Sequence, residues 1–168
     1  MLKKNIFIVV LLLFWVRIQA QEDNSVFQFL KIPFSSHAAA LGGENISIIE
    51  DDLTMAVHNP ALLSCVADKT LNLNYMLYIA GVNAASAAFS RVAGERSTWA
   101  VTAQFVNYGT MKETTSENVI IGTVSAKDMA FSGISSYDLS DYWSGGVKAN
   151  LIYSNYEKFS SFAIGVDL

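Results

Sequence analysis

The stretch Thr70-Leu-Asn-Leu-Asn-Tyr-Met-Leu-Tyr-Ile79 alternates between apolar and polar side chains with a period of two residues. Successive side chains of a β-strand point to opposite faces. Leu71 and Leu73 therefore fall on one face of the strand, and Asn72 and Asn74 fall on the other. The stretch predicts a strand with one apolar and one polar face.

The same alternation recurs in five further segments toward Leu168. It predicts strands over about 84–92, 98–105, 124–136, 143–154 and 162–168. Short turns are expected at Gly94–Ser97 and Tyr137–Tyr142, and a longer polar connection is expected at Gly109–Gly122. The chain is thus predicted to be all-β, with six antiparallel strands in its C-terminal part.

Two kinds of sheet have this pattern, a soluble sandwich and a transmembrane barrel. The mean hydropathy is +0.32 and only 15% of the residues are charged, which is apolar for an exported soluble domain. Trp99 and Trp143 begin strands, whereas Tyr108 and Tyr153 lie near opposite strand ends. Such rows of aromatic residues are typical of outer-membrane barrels. The barrel is the favoured interpretation, and the sandwich remains an alternative.

Six strands are too few to close such a barrel, since the smallest bacterial examples have about eight. Open edges would leave unpaired backbone groups in lipid. We therefore expect residues 70–168 to be the first part of a barrel whose C-terminal part is missing from this chain. Assembly of several copies into one barrel is the alternative.

The first twenty residues predict a cleaved signal peptide. Lys3 and Lys4 precede an apolar run from Ile6 to Val16, and Ala20 lies at the expected cleavage site. Arg17 ends the run before it reaches the roughly 20 residues of a spanning helix. The expected localisation is the outer membrane of a Gram-negative bacterium. One cysteine in the chain permits no internal disulfide.

Residues 21–69 show helical and turn signals and predict a compact plug ahead of the barrel. Either residue of the acidic pair is suited to capping a short helix running to about His58, and the Asn-Pro-Ala triplet is suited to beginning another. The glycine pair predicts a break in the backbone. The residues of this plug motif are Gly42, Gly43, Asp51, Asp52, Asn59, Pro60 and Ala61.

Several phrases resemble a known family. In the plug they are Phe29-Leu-Lys-Ile-Pro33, Ala38-Ala-Ala-Leu-Gly-Gly43, Ile46-Ser-Ile, Asp51-Asp52 and Asn59-Pro-Ala-Leu-Leu63. In the strands they are Ser125-Ala-Lys-Asp-Met-Ala130, Trp143-Ser-Gly-Gly and Ser160-Ser-Phe-Ala-Ile-Gly-Val-Asp167. These resemble the FadL-like outer-membrane barrels, and among them the PorQ family of type IX secretion proteins, which is related to PorV. The resemblance covers the mature region but only about the first half of a full family member.

This resemblance implies a barrel of about fourteen strands within the size range of such barrels. It also implies a role as a scaffold or anchor, without catalysis, in a surface complex of the Bacteroidota that attaches exported cargo to lipopolysaccharide. The implied partners are outer-membrane lipid and the protein components of that secretion complex.

Sequence motifs for chemistry are absent. His37 and His58 are the only histidines, and no spacing typical of metal ligands surrounds them. The acidic run at Glu50 lacks the pattern of a calcium loop. We expect no catalytic, metal or cofactor-binding residues and no enzymatic activity. The net charge of −4, with no basic patch, argues against a nucleic-acid partner.

Three functions remain open at this stage. A secretion scaffold would bind its protein partner through an external loop, and the candidate residues are Lys112, Glu113 and Glu117. An importer of hydrophobic small molecules would need an apolar pocket against the plug, lined by Met55, Val57, Leu62 and Leu63. A soluble exported sandwich would need a second sheet over the apolar face.

Overall fold

The computed structural model describes residues 27–114, 120–156 and 159–168. The predicted signal peptide lies outside the described residues. The predicted all-β fold is confirmed, with one sheet of six antiparallel strands arranged in chain order. The strands are β1 (Leu71–Leu77), β2 (Asn83–Val92), β3 (Ser97–Thr114), β4 (Ile120–Ser140), β5 (Trp143–Tyr156) and β6 (Phe159–Asp167).

The segment before β1, which we call the plug (residues 27–69), is made of short helical turns. It contains one α-helix, α1 (Ser36–Ala40), and 3-10 turns at Gln28–Lys31, Met55–Val57 and Pro60–Cys65. A further 3-10 turn, Ile79–Gly81, joins β1 to β2. No helix within the described ranges is long and apolar enough to span a membrane.

The middle strands are longer than predicted. The expected polar connection at Gly109–Gly122 is wrong, because β3 continues to Thr114 and β4 already begins at Ile120. The expected turn at Tyr137–Tyr142 is also too long, since β4 runs to Ser140. Threonine and other β-branched residues in these stretches pair well across a hairpin. Cross-strand pairing therefore overrides the turn signal of the neighbouring glycine and serine residues.

The sheet has an apolar outer face and a more polar inner face, as the alternation predicted. On β1, Leu71 and Leu73 are 63% and 69% exposed. On β3, Trp99 and Val101 point outward while Thr98 and Thr102 are buried on the inner face. Large apolar side chains are thus exposed on the outer face, and the buried residues lie on the other side.

The plug covers the inner face of the sheet and forms the core with it. Phe34, Leu53 and Leu63 of the plug pack against Ala88 and Ile134 of the strands. A second cluster joins the plug residue Phe29 to the strand side chains Ala84, Val106, Ala130 and Ile152. Alanine recurs on the inner face because a small side chain leaves room for the plug backbone to approach the sheet.

Gly146 on the inner face of β5 lies against the backbone of the plug. A Cβ atom at this position would lie 2.4 Å from the carbonyl carbon of Pro60 and 2.6 Å from the amide nitrogen of Ala61. Both are backbone atoms, so neither can rotate away. The Asn-Pro-Ala turn is therefore seated directly on the glycine of the strand.

We predict that Gly146→Ala destabilises the protein by about 1–3 kcal/mol, the usual cost of forcing extra atoms into a packed contact. The measurement is the free energy of unfolding in urea. Gly133→Ala on β4 is the matched control, since a Cβ there meets nothing within 4 Å. Equal effects of the two substitutions would contradict the close contact between plug and strand.

Candidate functional site

Polar side chains of the inner face hold the plug by its backbone. Serine, glutamine and lysine residues from three strands each donate a hydrogen bond to a plug carbonyl, and so satisfy backbone groups that the short turns leave unpaired. The bonds run from Ser86 Oγ to Phe34 O, from Gln104 Nε2 to Ile32 O (3.2 Å), from Lys148 Nζ to Val57 O (2.8 Å) and from Ser144 Oγ to Ala61 O (3.4 Å).

Lys148 is the centre of a connected network across β4, β5 and β6. Its side chain is only 13% exposed, and its ammonium group lies 3.6 Å from Asp167 Oδ2. Asn150 Nδ2 donates to the same oxygen at 2.8 Å, and Ser132 Oγ donates to Asn150 Oδ1 at 2.6 Å. A buried cation needs such partners to offset its loss of hydration.

A cavity of about 370 Å³ lies between this network and the plug. Leu30, Ile46 and Val57 supply its apolar wall, while Lys148 and the network supply a polar wall. Both kinds of surface therefore face the same space. Such a cavity has room for a small ligand that carries both apolar and polar groups.

His58 also lines the cavity, and its Nε2 atom is buried without a hydrogen-bond partner among the described residues. Burial lowers the pKa of His58, and the nearby positive charge of Lys148 lowers it further. The imidazole is therefore neutral at neutral pH. No nucleophile hydrogen-bonds to it within the described part of the chain.

A cluster of hydrogen-bonded side chains, which we call the clasp, links two parts of the plug. It consists of Ser35, His37, Asp52 and Thr54. His37 Nδ1 donates to Asp52 Oδ2 at 2.7 Å, and Asp52 Oδ1 accepts bonds from the amide and the hydroxyl of Thr54, both at 2.8 Å. Ser35 caps α1 by accepting from the amide of Ala38, and its hydroxyl lies 2.9 Å from that of Thr54. The clasp thus ties α1 to the turn that follows Asp51.

The residues of the predicted plug motif are distributed over several contacts. Gly42 and Gly43 have φ angles of 98° and 106°, which confirms the backbone break. Asn59 caps the turn Pro60–Cys65 by accepting from the amide of Ala61 at 3.1 Å, as predicted. Asn59 Nδ2 also donates to the carbonyl of Ile46 at 2.8 Å, which the sequence did not indicate.

One sequence expectation holds in part and another is wrong. Asp52 of the acidic pair accepts a bond from the amide of Thr54 at 2.8 Å, directly before the turn Met55–Val57, although Thr54 itself provides no side-chain cap. Asp51 instead accepts a bond from the amide of Ala67 at 2.7 Å. Tyr108 does not belong to an outer aromatic row, because its hydroxyl donates to the buried Asp128. The position near a strand end suggested an outer row, but Tyr108 shares the inward parity of Gln104 and Val106.

The residues considered for ligand or partner binding lie in different places. Met55, Leu62 and Leu63 are buried in the plug core, and Val57 alone of the predicted apolar set lines the cavity. Lys112 and Glu113 lie on the part of β3 that extends past its last pair with β2. Glu117 lies outside the described residues.

The period-two alternation places Asp128, Lys148 and Asn150 on the inner face of their strands, but it does not link them to one another. Their hydrogen-bond partners lie on other strands or in the plug, so the spacing of residues along one strand could not predict the network. The alternation of polar residues at inward positions was the only indication that such a network exists.

Comparison of the chain with protein-family models, with curated protein sequences and with solved structures gave no match.

The clasp predicts a pH dependence for the plug. The hydrogen bond to Asp52 raises the pKa of His37 above 6.5. Burial raises the pKa of Asp52, but the hydrogen bonds from His37 and Thr54 outweigh burial and leave it below 3.8. A raised histidine pKa stabilises the fold fully below pH 6.5 and loses its contribution as the pH rises through the folded value. The lowered aspartate pKa contributes above pH 3.8 and is lost as the pH falls through its folded value.

We therefore expect the plug to resist proteolysis best between about pH 4 and pH 6.5, and to become more susceptible toward pH 8. Limited proteolysis at several pH values, with a protease whose own rate is calibrated at each pH, measures this. His37→Asn should flatten the profile. Asp141→Asn, in the β4–β5 turn, is the control and should retain the profile; a flat wild-type profile would refute the role of the clasp.

Proposed function

We propose that this chain belongs to an outer-membrane β-barrel that acts as a non-catalytic scaffold or anchor in type IX protein secretion. The observation that carries the proposal is the orientation of the sheet. Its large apolar side chains point away from the plug, while its polar side chains bond the plug backbone. A sheet of this kind suits lipid on one side and a filled lumen on the other.

The outer face argues for lipid as its environment. Leu73, Val101, Phe131, Leu151 and Ile164 of five strands are each about half exposed or more. Soluble monomers rarely expose contiguous apolar surface of this extent. A soluble sandwich would cover it with a second sheet, and the described residues form one sheet only.

The plug argues for a scaffold over an open channel. It is held on the inner face by hydrogen bonds from three strands and by a buried apolar core. Moving it aside would break these contacts together. A sealed lumen leaves the loops and hairpins outside the membrane as the surfaces available for function.

The assignment to type IX secretion rests on the likeness of the plug and strand phrases to the PorQ family. The long hairpin offers a surface for a protein partner. We call this surface the ribbon, residues 109–114 and 120–125. It extends past the pairing of β3 with β2 and of β4 with β5, and it exposes Met111 and Ile121 beside Lys112.

Import of hydrophobic small molecules is the second candidate, and the cavity against the plug favours it. The polar wall formed by Lys148, Asp167 and Asn150 counts against an apolar path. A detergent-solubilised protein that carries bound lipid and no protein partner would support import over the scaffold.

We predict that Val101→Arg lowers stability in the membrane by about 2–4 kcal/mol if this face contacts lipid. The yield of folded protein in outer-membrane fractions measures the effect. Asp141→Arg, in the β4–β5 turn outside the apolar band, is the matched control and should leave the yield unchanged. In a soluble protein the exposed Val101 would accept arginine without loss, so equal yields would refute the membrane assignment.

We further predict that the tagged full-length gene product, solubilised in mild detergent, co-purifies with large secretion-complex proteins at near-stoichiometric levels. Replacement of residues 111–122 by a Gly/Ser linker should remove these partners, because the ribbon surface is then lost. Replacing Asp141-Tyr142 by Asn-Gly, a turn sequence favoured in hairpins, is the control. Undiminished partner recovery after the ribbon replacement would exclude the ribbon as the contact.

A further inference from the structure

Asp128 on β4 is a carboxylate buried almost completely, with 1% of its surface exposed. Two tyrosine hydroxyls approach it from the neighbouring strands. Tyr108 of β3 and Tyr156 of β5 both donate to Oδ2, at 2.8 Å and 3.0 Å. One oxygen of the carboxylate thus has two neutral donors.

The other oxygen is unpartnered. Asp128 Oδ1 is buried and has no hydrogen bond among the described residues. Ser154 Oγ is also buried, and it has no hydrogen bond within the described ranges; Ser154 is 1% exposed. Asp128 and Ser154 are direct register partners on β4 and β5, so their side chains emerge side by side on the same face. Buried polar atoms without partners are rare and call for an explanation such as a bound ion or water.

The described neighbours of Asp128 are mainly apolar. Val106 and Ser154 flank Asp128 across the sheet, and the nearby inner-face residues Ala130 and Ile152 belong to the apolar cluster under Phe29. Within the described ranges, the ion pairs of the chain do not include Asp128. A buried carboxylate in an apolar setting is costly unless it is paired.

We propose that Asp128 and Ser154, together with the phenol oxygens of Tyr108 and Tyr156, bind a monovalent cation of the size of sodium. The donor set consists of oxygen alone, which hard cations prefer. Its single negative charge balances one positive charge and would leave a divalent ion uncompensated. Asp128 and Ser154 are short side chains at directly opposite register positions, which leaves little space between their oxygens and favours the smaller sodium ion over potassium.

The site would stabilise the sheet at the point where β3, β4 and β5 meet the plug. A ligand that binds only the folded state raises the unfolding temperature. The cation would do this by neutralising the buried charge and by joining three strands through one shared ion. The inference does not depend on the proposed function, because the site lies within the fold itself.

Thermal unfolding of the protein in equal concentrations of sodium, potassium or N-methylglucamine chloride tests the site. Detergent is included if the protein requires it. We expect the highest unfolding temperature in sodium, a lower one in potassium and the lowest in N-methylglucamine. Asp128→Asn and Ser154→Ala should each remove the difference between sodium and N-methylglucamine. Asp141→Asn, an exposed aspartate, should retain it.

A second control separates cation binding from general loss of packing. Ser136 is as buried as Ser154, but its hydroxyl has a partner in the carbonyl of Thr98. Ser136→Ala should lower the unfolding temperature equally in all three salts. If Asp128→Asn does not fold, Ser154→Ala and the sodium NMR linewidth of the wild-type protein supply the answer. Identical unfolding temperatures in the three salts, with no sodium line broadening, would overturn the proposal and indicate a buried water instead.

Discussion

The fold depends on hydrogen bonds between strand side chains and the backbone of the plug. The plug consists of short turns, which cannot satisfy most of their own carbonyl groups. Burying such a segment would be prohibitive without outside donors. Ser86, Gln104 and Lys148 supply these donors from three strands. The polar side chains of the inner face are therefore the hydrogen-bond donors that the plug carbonyls require.

This requirement determines what the outer face contains. Each strand alternates, so the residues that do not face the plug form one continuous surface. The core formed by Phe34, Leu53 and Ile134 lies between plug and sheet, and the large apolar residues of the opposite face are exposed among the described residues. The same period of two that places Gln104 under the plug places Phe105 on the opposite face. The alternation that directs polar residues toward the plug therefore directs apolar residues to the opposite face, where we propose that they contact lipid.

The period-two alternation was enough to predict the six strands and the apolar and polar faces of β1, because the alternation is a local property of each strand. The ends of β3 and β4 were not predictable in this way, since Gly109 and Gly122 resemble turn residues until the pairing of Met111 with Val124 is known. The bond from Lys148 to Val57 spans 91 positions. No local pattern encodes a contact of that range, whereas the Asn59 cap was predictable because its partner is two residues away.

The contact at Gly146 bears on whether the protein acts as a scaffold or as an importer. The strand accepts the Pro60 turn only because it carries no side chain there, and Lys148, two residues along on the same face, bonds the preceding turn at Val57. Steric fit and hydrogen bonding therefore act on adjacent parts of the plug from one strand. A plug that opened for transport would have to break the Gly146 contact and the Lys148 hydrogen bond at once. The Lys148 ammonium group and the Val57 carbonyl would then lose their hydrogen bond to each other. A fixed plug has no such cost, which favours the proposed scaffold over the proposed import function.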